Sequence, residues 1–364
     1  MRISLHIKEL RSFKDSGELM SLSKSLTFTA ALVGLILNIT PAAIFAQSSD
    51  IPELSGIWTN TSRTGLTRPR GVELVVSAEE AQEIVANMSI AGISRDNIES
   101  GPAIDPDTGA PPAGAHDFGL RGYNLFWTDP GSALARVRGE FRTSFIIDPP
   151  NGVIPRLDEP KYDLNRIQFG ARYLTGVADA SGPESIPIAE RCLIGFGNTA
   201  GPGMLSTLYN SSYQFVQTDD YVMIMVEMVH DARIIPLFEN AEEARANRRP
   251  EKLQQWLGDS VGWYEDNTLI VETVNINPLQ MGQSAVPISP DGRFIEKFSR
   301  YADDEIIYQF TVDDSNLYSQ PWTAELSYYP LEGSIYEYAC HEGNYSMPGI
   351  LAGARRLERE QAAN

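Results

Sequence analysis

From Tyr213 onward the chain alternates apolar and polar positions in short runs separated by polar turns. Tyr213–Gln217 is followed by Thr218-Asp219-Asp220 and then by Tyr221–Met228. The same grammar recurs in Gly262–Tyr264 and Thr268–Asn275 around Glu265-Asp266-Asn267, and in Phe294–Tyr301 and Ile306–Val312 around Asp303-Asp304. Trp322–Tyr329 and Ile335–Ala339, around Glu332-Gly333, complete the set. A period of two places alternate side chains on opposite faces of a strand, so these runs predict an antiparallel meander. A meander this long must close or stack to hide its edges. The expected fold is mainly β, a meander closing into a lipocalin-like barrel, preferred over a sandwich.

The N-terminal half is less regular. Leu54–Thr59 reads LSGIWT, a short strand with the Gly-x-Trp motif that opens lipocalin-like barrels. Ser77 and Glu80 have capping-box spacing, and Ala81, Ile84, Val85 and Met88 then share one helical face. That predicts a short peripheral helix. A second helix-like stretch, Asn240–Trp256, is interrupted at Pro250. Residues 101–117 are a Pro/Gly-rich loop, Tyr123–Trp127 and Phe141–Ile147 read as strands, and Asp148–Gly152 is a strong turn. Residues 158–205 are irregular.

Ahead of all this, Leu26–Ile39 is an apolar stretch following Lys24, and Pro41–Ala46 ends in small residues. That order is the grammar of a secretory signal, with cleavage expected after Ala46 and Met20 a plausible start. The alternative is an uncleaved anchor, although the apolar stretch is short for a membrane span. Removal of 1–46 leaves 47–364 as a single β-rich domain, periplasmic or secreted, with no stable membrane insertion.

Charge narrows the partners. With 29 Lys and Arg against 48 Asp and Glu, the formal net charge is −19, which disfavours nucleic acid and anionic lipid surfaces. The only two cysteines are Cys192 and Cys340. In an oxidising compartment they can form one disulfide, and the alternative is two separate buried thiols. No Gly-rich phosphate loop, HExxH or G-x-S-x-G is present, so no cofactor is expected.

Candidate chemistry gathers in Tyr221–Pro236, YVMIMVEMVHDARIIP, where Glu227, His230, Asp231 and Arg233 interrupt an apolar run. Ionisable groups in such a setting are paired with one another or do chemistry. On an unbroken strand Glu227, Asp231 and Arg233 share one face and His230 the other; a tight turn at His230-Asp231 would bring all four together. A buried ion pair is the bland reading, and a His–carboxylate acid/base pair the functional one. His341-Glu342, beside Cys340, invites the same two readings, with Gly343 able to start a turn. His116, Arg142, Asp259 and Trp263 are candidate ligand contacts, with an interior ion pair the competing role for Arg142. No two histidines of 47–364 are spaced as a local chelate, so no metal is expected.

Several phrases together, LSGIW, RTSFIIDPPNGVIP, ERCLIGFG, EMVHDARIIPL, GDSVGWYEDNTLIVET and YACHEGNY, resemble an exported bacterial family of uncharacterised proteins. The resemblance runs from about Leu54 to Arg355. It implies export and a single architectural unit, and supplies no activity or cofactor. Where that family typically carries Trp-Glu-Gly-Asp, this chain has Trp263-Tyr264-Glu265-Asp266-Asn267, a variation expected at a hairpin turn.

Two functions follow. The first is a cofactor-independent acid/base enzyme, a lyase, isomerase or hydrolase, acting on a small, fairly apolar molecule in the barrel. Here His230, Asp231 and Glu227 move protons, Arg233 stabilises negative charge, and His341 is a second donor. The second is a periplasmic carrier of a hydrophobic ligand, with Trp127, Trp263, Trp322, Tyr336 and Tyr338 lining the pocket.

Overall fold

Nine strands close into a barrel whose inward positions are filled by large side chains. The computed structural model describes residues 51–88, 129, 131–162, 180–251 and 253–363, all within the unit formed by 47–364. His116, Tyr123–Trp127 and the expected signal segment 1–46 lie outside the described residues.

The chain begins with β1 (Gly56–Thr59), β2 (Val75–Val76) and helix α1 (Ala78–Ala86), then β3 (Arg136–Val137), β4 (Glu140–Arg142) and β5 (Ile146–Asp148). It continues through β6 (Ser212–Gln217), β7 (Tyr221–Val226), β8 (Ala232–Phe238), α2 (Ala241–Ala246), β9 (Asp259–Glu265) and β10 (Thr268–Val274). It ends with β11 (Arg293–Ala302), β12 (Glu305–Asp313), β13 (Trp322–Pro330), a single turn α3 (Cys340–Gly343) and α4 (Ser346–Ala362). The barrel order is β1-β6-β7-β8-β9-β10-β11-β12-β13, and β13 returns to β1 through Trp58↔Pro330 and Thr59↔Tyr329. β5 extends the sheet beside β13, and β2-β4-β3 form a small separate sheet.

All barrel pairings are antiparallel except β8 with β9, which run parallel. The meander therefore has one break. Its cause is the connection 239–258, which carries α2 and returns the chain along the barrel wall. Ile335–Ala339, expected as a strand, has no ladder partner and runs irregularly into α3. The helix α4 carries Pro348, Gly349 and Gly353, residues that conceal a helix from propensity-based reading.

The capping box of α1 forms as the sequence implies: Ser77 Oγ accepts from Glu80 N–H while the Glu80 carboxylate accepts from Ser77 N–H.

Period-two alternation sets the core. Tyr213 and Phe215 of β6, Phe294 and Phe298 of β11, Tyr308 and Phe310 of β12, and Trp322 and Tyr328 of β13 all point inward and are buried. Tyr213 and Tyr328 meet edge to face with centroids 5.1 Å apart, and Phe298 stacks on Tyr308 at 4.8 Å. Such pairs add about 0.5–1.5 kcal/mol each beyond their buried area. Trp322 is thus core, whereas Trp263 faces outward under α2, packed with Ala244, Val261 and Ile270.

One inward position on β8 is charged. Arg233 makes a two-pronged pair with Glu296 of β11, Nη1 to Oε2 at 2.6 Å and Nη2 to Oε1 at 3.0 Å. Tyr308 donates its hydroxyl to Glu296 Oε1 at 2.5 Å and accepts from Met204 N–H at 3.0 Å. Burial works against the Arg233 charge, but Glu296 outweighs it and holds the guanidinium above its ordinary range. The buried segment 198–205 covers this pair, and Gly201 is needed there: at φ +84° its Cβ would come within 3.0 Å of Arg233 Cζ.

Candidate functional site

The sequence YVMIMVEMVHDARIIP divides at its middle. β7 ends at Val226, and Met228–His230 form a tight 3-10 turn before β8 starts at Ala232. Val229 and His230 both have positive φ, 58° and 54°, which is costly for a β-branched residue and reverses the chain abruptly. The reversal separates the four candidates. Arg233 enters the barrel, while Glu227, His230 and Asp231 stay at the barrel end.

There each of these three side chains accepts a main-chain N–H from a distant segment. Glu227 Oε1 takes Tyr336 N–H at 2.8 Å, and His230 Nε2 takes Tyr338 N–H at 3.4 Å. Asp231 Oδ2 takes Gly195 N–H at 2.8 Å. The turn thus ties the 190s loop and the C-terminal segment to the barrel. The same two segments are joined covalently by the Cys192–Cys340 disulfide. The disulfide alternative read from the sequence is the one formed.

Between these segments lies a cleft of about 410 Å³. Its walls include Glu190 and Phe196 from the first, Tyr209 from the approach to β6, and Tyr338, Cys340 and Asn344 from the C-terminal side. Asn344 braces it by donating Nδ2–H to the Glu190 carbonyl at 2.7 Å. The Glu190 carboxylate is half-buried, and burial raises its pKa above the usual carboxylate value.

Burial likewise pushes the Asp231 carboxyl up to about 6 from 3.8, despite the Gly195 N–H and the nearby His230. The sign matters: a carboxyl whose folded pKa is raised costs stability as pH climbs from the unfolded value through the folded one. The full gap is worth about 3 kcal/mol, or roughly 1–2 after allowance for partial exposure. Asp231→Asn keeps an acceptor for Gly195 and removes the ionisation. Urea unfolding should therefore show the variant more stable than the parent above pH 6, with the difference vanishing below pH 4. An advantage that persists at pH 3.5 would refute the assigned cause.

The remaining candidates are dispersed. His341 and Glu342 sit exposed on α3 and neither lines the cleft. Arg142 pairs with Glu140 at 2.8 Å and lies 3.7 Å from Glu325, on the small sheet. Asp259 accepts Arg249 N–H at 3.0 Å beside a smaller pocket of about 230 Å³. Trp263 donates to Glu265 and lies under the Arg245 guanidinium. Tyr336 is latched by its backbone, and Tyr338 is the one proposed aromatic among the described residues that lines the cleft. Among the described residues, no group of three His, Cys, Asp or Glu side chains is placed to hold a metal ion.

Sequence reasoning missed Glu190, Phe196, Tyr209 and Asn344. For Glu190, Phe196 and Asn344 the signal was adjacency to the cysteines: once Cys192 and Cys340 are joined, the residues flanking each are brought together, whereas Tyr209 carried no such signal.

A second cleft, of about 510 Å³, is rimmed by Glu53, Asp219, Asp220, Glu239 and Glu243, all exposed. Comparison with protein-family models, with curated proteins and with solved structures finds no match.

Proposed function

We propose that this chain is an exported small-molecule-binding protein whose ligand site is the cleft at the disulfide-closed end of the barrel. The observation carrying this reading is the frame of that cleft: a covalent bridge and three side-chain-to-backbone hydrogen bonds hold its walls. A wall fixed before the ligand arrives lowers the ordering cost of binding. Its volume falls in the range of small-molecule pockets, roughly 300–1,000 Å³. The barrel interior offers no comparable reason to expect a ligand, because aromatic side chains and the Arg233–Glu296 pair fill it. Export, cleavage after Ala46 and kinship with the exported bacterial family belong to the same proposal.

Catalysis is the second reading. Asp231, with a pKa of about 6, titrates where a general base works best. Against it, Glu227, His230 and Asp231 already serve as acceptors for the backbone.

Native mass spectrometry of protein purified from the periplasm separates these readings. The expected spectrum shows a mature chain beginning at Gln47 with a non-covalent adduct. Ala339→Trp, which fills the cleft from an exposed position, should remove the adduct without lowering the unfolding midpoint. An adduct retained in that variant would place the ligand elsewhere, and a chemically altered one would favour catalysis.

A further inference from the structure

The chemistry of the cleft wall specifies a ligand class. Glu190 is a half-buried carboxylate, and among the described residues it has neither an ion-pair nor a hydrogen-bond partner for its side chain; only burial acts on it. Arg191, its neighbour in sequence, does not line the cleft. Three aromatic rings, Phe196, Tyr209 and Tyr338, share the wall and are partly buried against the barrel core.

A carboxylate withdrawn from water without a counter-charge is costly, and an entering neutral or anionic molecule would deepen that cost. A cation would relieve it. Aromatic faces attract cations through their quadrupole, most strongly where water is displaced. The acidic surface, with its net charge of −19, raises the local concentration of cations. A bare divalent metal fits poorly: calcium takes about 6–8 oxygen ligands, and this wall carries one carboxylate.

We infer that the ligand is an organic cation, a primary or quaternary amine on an apolar or aromatic body, with its nitrogen at the Glu190 carboxylate and its body against Phe196, Tyr209 and Tyr338. The inference rests on the cleft being the ligand site. It differs from the acidic cleft beside Glu53 in having its carboxylate shielded, so that charge recognition there is not dissipated by solvent.

Three probes of similar shape test it by isothermal titration calorimetry at fixed salt: benzyltrimethylammonium, benzyl alcohol and benzoate. The cation should bind about tenfold or more tightly than benzyl alcohol, with benzoate weakest. Glu190→Gln leaves the backbone carbonyl for Asn344 in place. It should weaken the cation about tenfold and leave benzyl alcohol unchanged. Equal affinities for the three probes, or a cation affinity indifferent to Glu190→Gln, would overturn the cationic assignment. If those probes still lose binding in Ala339→Trp, the cleft survives as the site and only the ligand class falls. No cation binding to the parent protein also sinks the assignment, and the cleft then stands or falls on the co-purified adduct.

Discussion

Arg233→Met should destabilise the protein by about 3–5 kcal/mol at pH 7, because it leaves the Glu296 carboxylate buried without its counter-charge. Both side chains are nearly inaccessible, 1% and 0%, so water cannot substitute for the missing guanidinium. Glu296 would retain the Tyr308 hydroxyl and the Gly203 N–H at 3.4 Å, which are too few donors for an ionised group in this setting. Glu296→Gln alone should cost a comparable amount by stranding Arg233. The double variant should recover part of the loss, which a double-mutant cycle in urea reads directly. Additive losses would mean that the two groups do not depend on each other. The surroundings are already short of partners: the Tyr213 hydroxyl sits beside Asn60 and Tyr328 without meeting hydrogen-bond geometry to either, and Arg233 Nε is unmatched among the described residues. This interior has little capacity to absorb another unsatisfied group.

Replacing both cysteines by alanine should lower the unfolding free energy by about 5 kcal/mol in the chain-entropy account. The bridge spans a sequence separation of 148, and the enclosed loop contains every barrel strand from β6 to β13. Freed of the bridge, the unfolded chain gains the disorder of most of the barrel. The native state should change locally as well, since the segment after Pro330 would lose its covalent tie and keep only non-covalent ones, among them those to Glu227 and His230, the Asn344 bond to the Glu190 carbonyl and the Arg355 bonds to the Ser181 and Ala180 carbonyls. Limited proteolysis should then cut first between Leu331 and Tyr345, and the proposed ligand should be lost before the barrel melts. Coincident loss of adduct and barrel would show that the cleft and the barrel form one cooperative unit.

Much of the barrel was legible because alternation is a local property. Tyr213–Gln217, Thr268–Val274 and Ile306–Val312 each show which residues face inward, and the short polar turns join them to their neighbours. The parallel junction was not legible, since nothing in β8 or β9 records the direction of a partner across residues 239–258. Ile335–Ala339 reads like a strand, but the Tyr336 and Tyr338 N–H groups go to the Glu227 and His230 side chains rather than to a ladder. The candidate site was legible as a concentration of ionisable groups, and its division was not. Parity placed Glu227, Asp231 and Arg233 on one face, whereas the left-handed Val229 and His230 reset the alternation and sent Arg233 inward alone. The cleft itself depended on one long-range bond, and its key carboxylate, Glu190, carries no local pattern that distinguishes it from a surface glutamate.

The single parallel pairing also follows from arithmetic. Around a closed ring each antiparallel neighbour reverses the strand direction, so a ring with an odd number of members cannot alternate throughout. Nine strands oblige at least one like-oriented pair, and here β8 and β9 supply it. A hairpin can be trimmed to a two-residue turn, but the link at this seam must travel back along the barrel, about 3.3 Å for every residue of strand it retraces. The link 239–258 therefore cannot be reduced to a two-residue turn as a hairpin can, and a circularly permuted chain opened there would be released from that constraint.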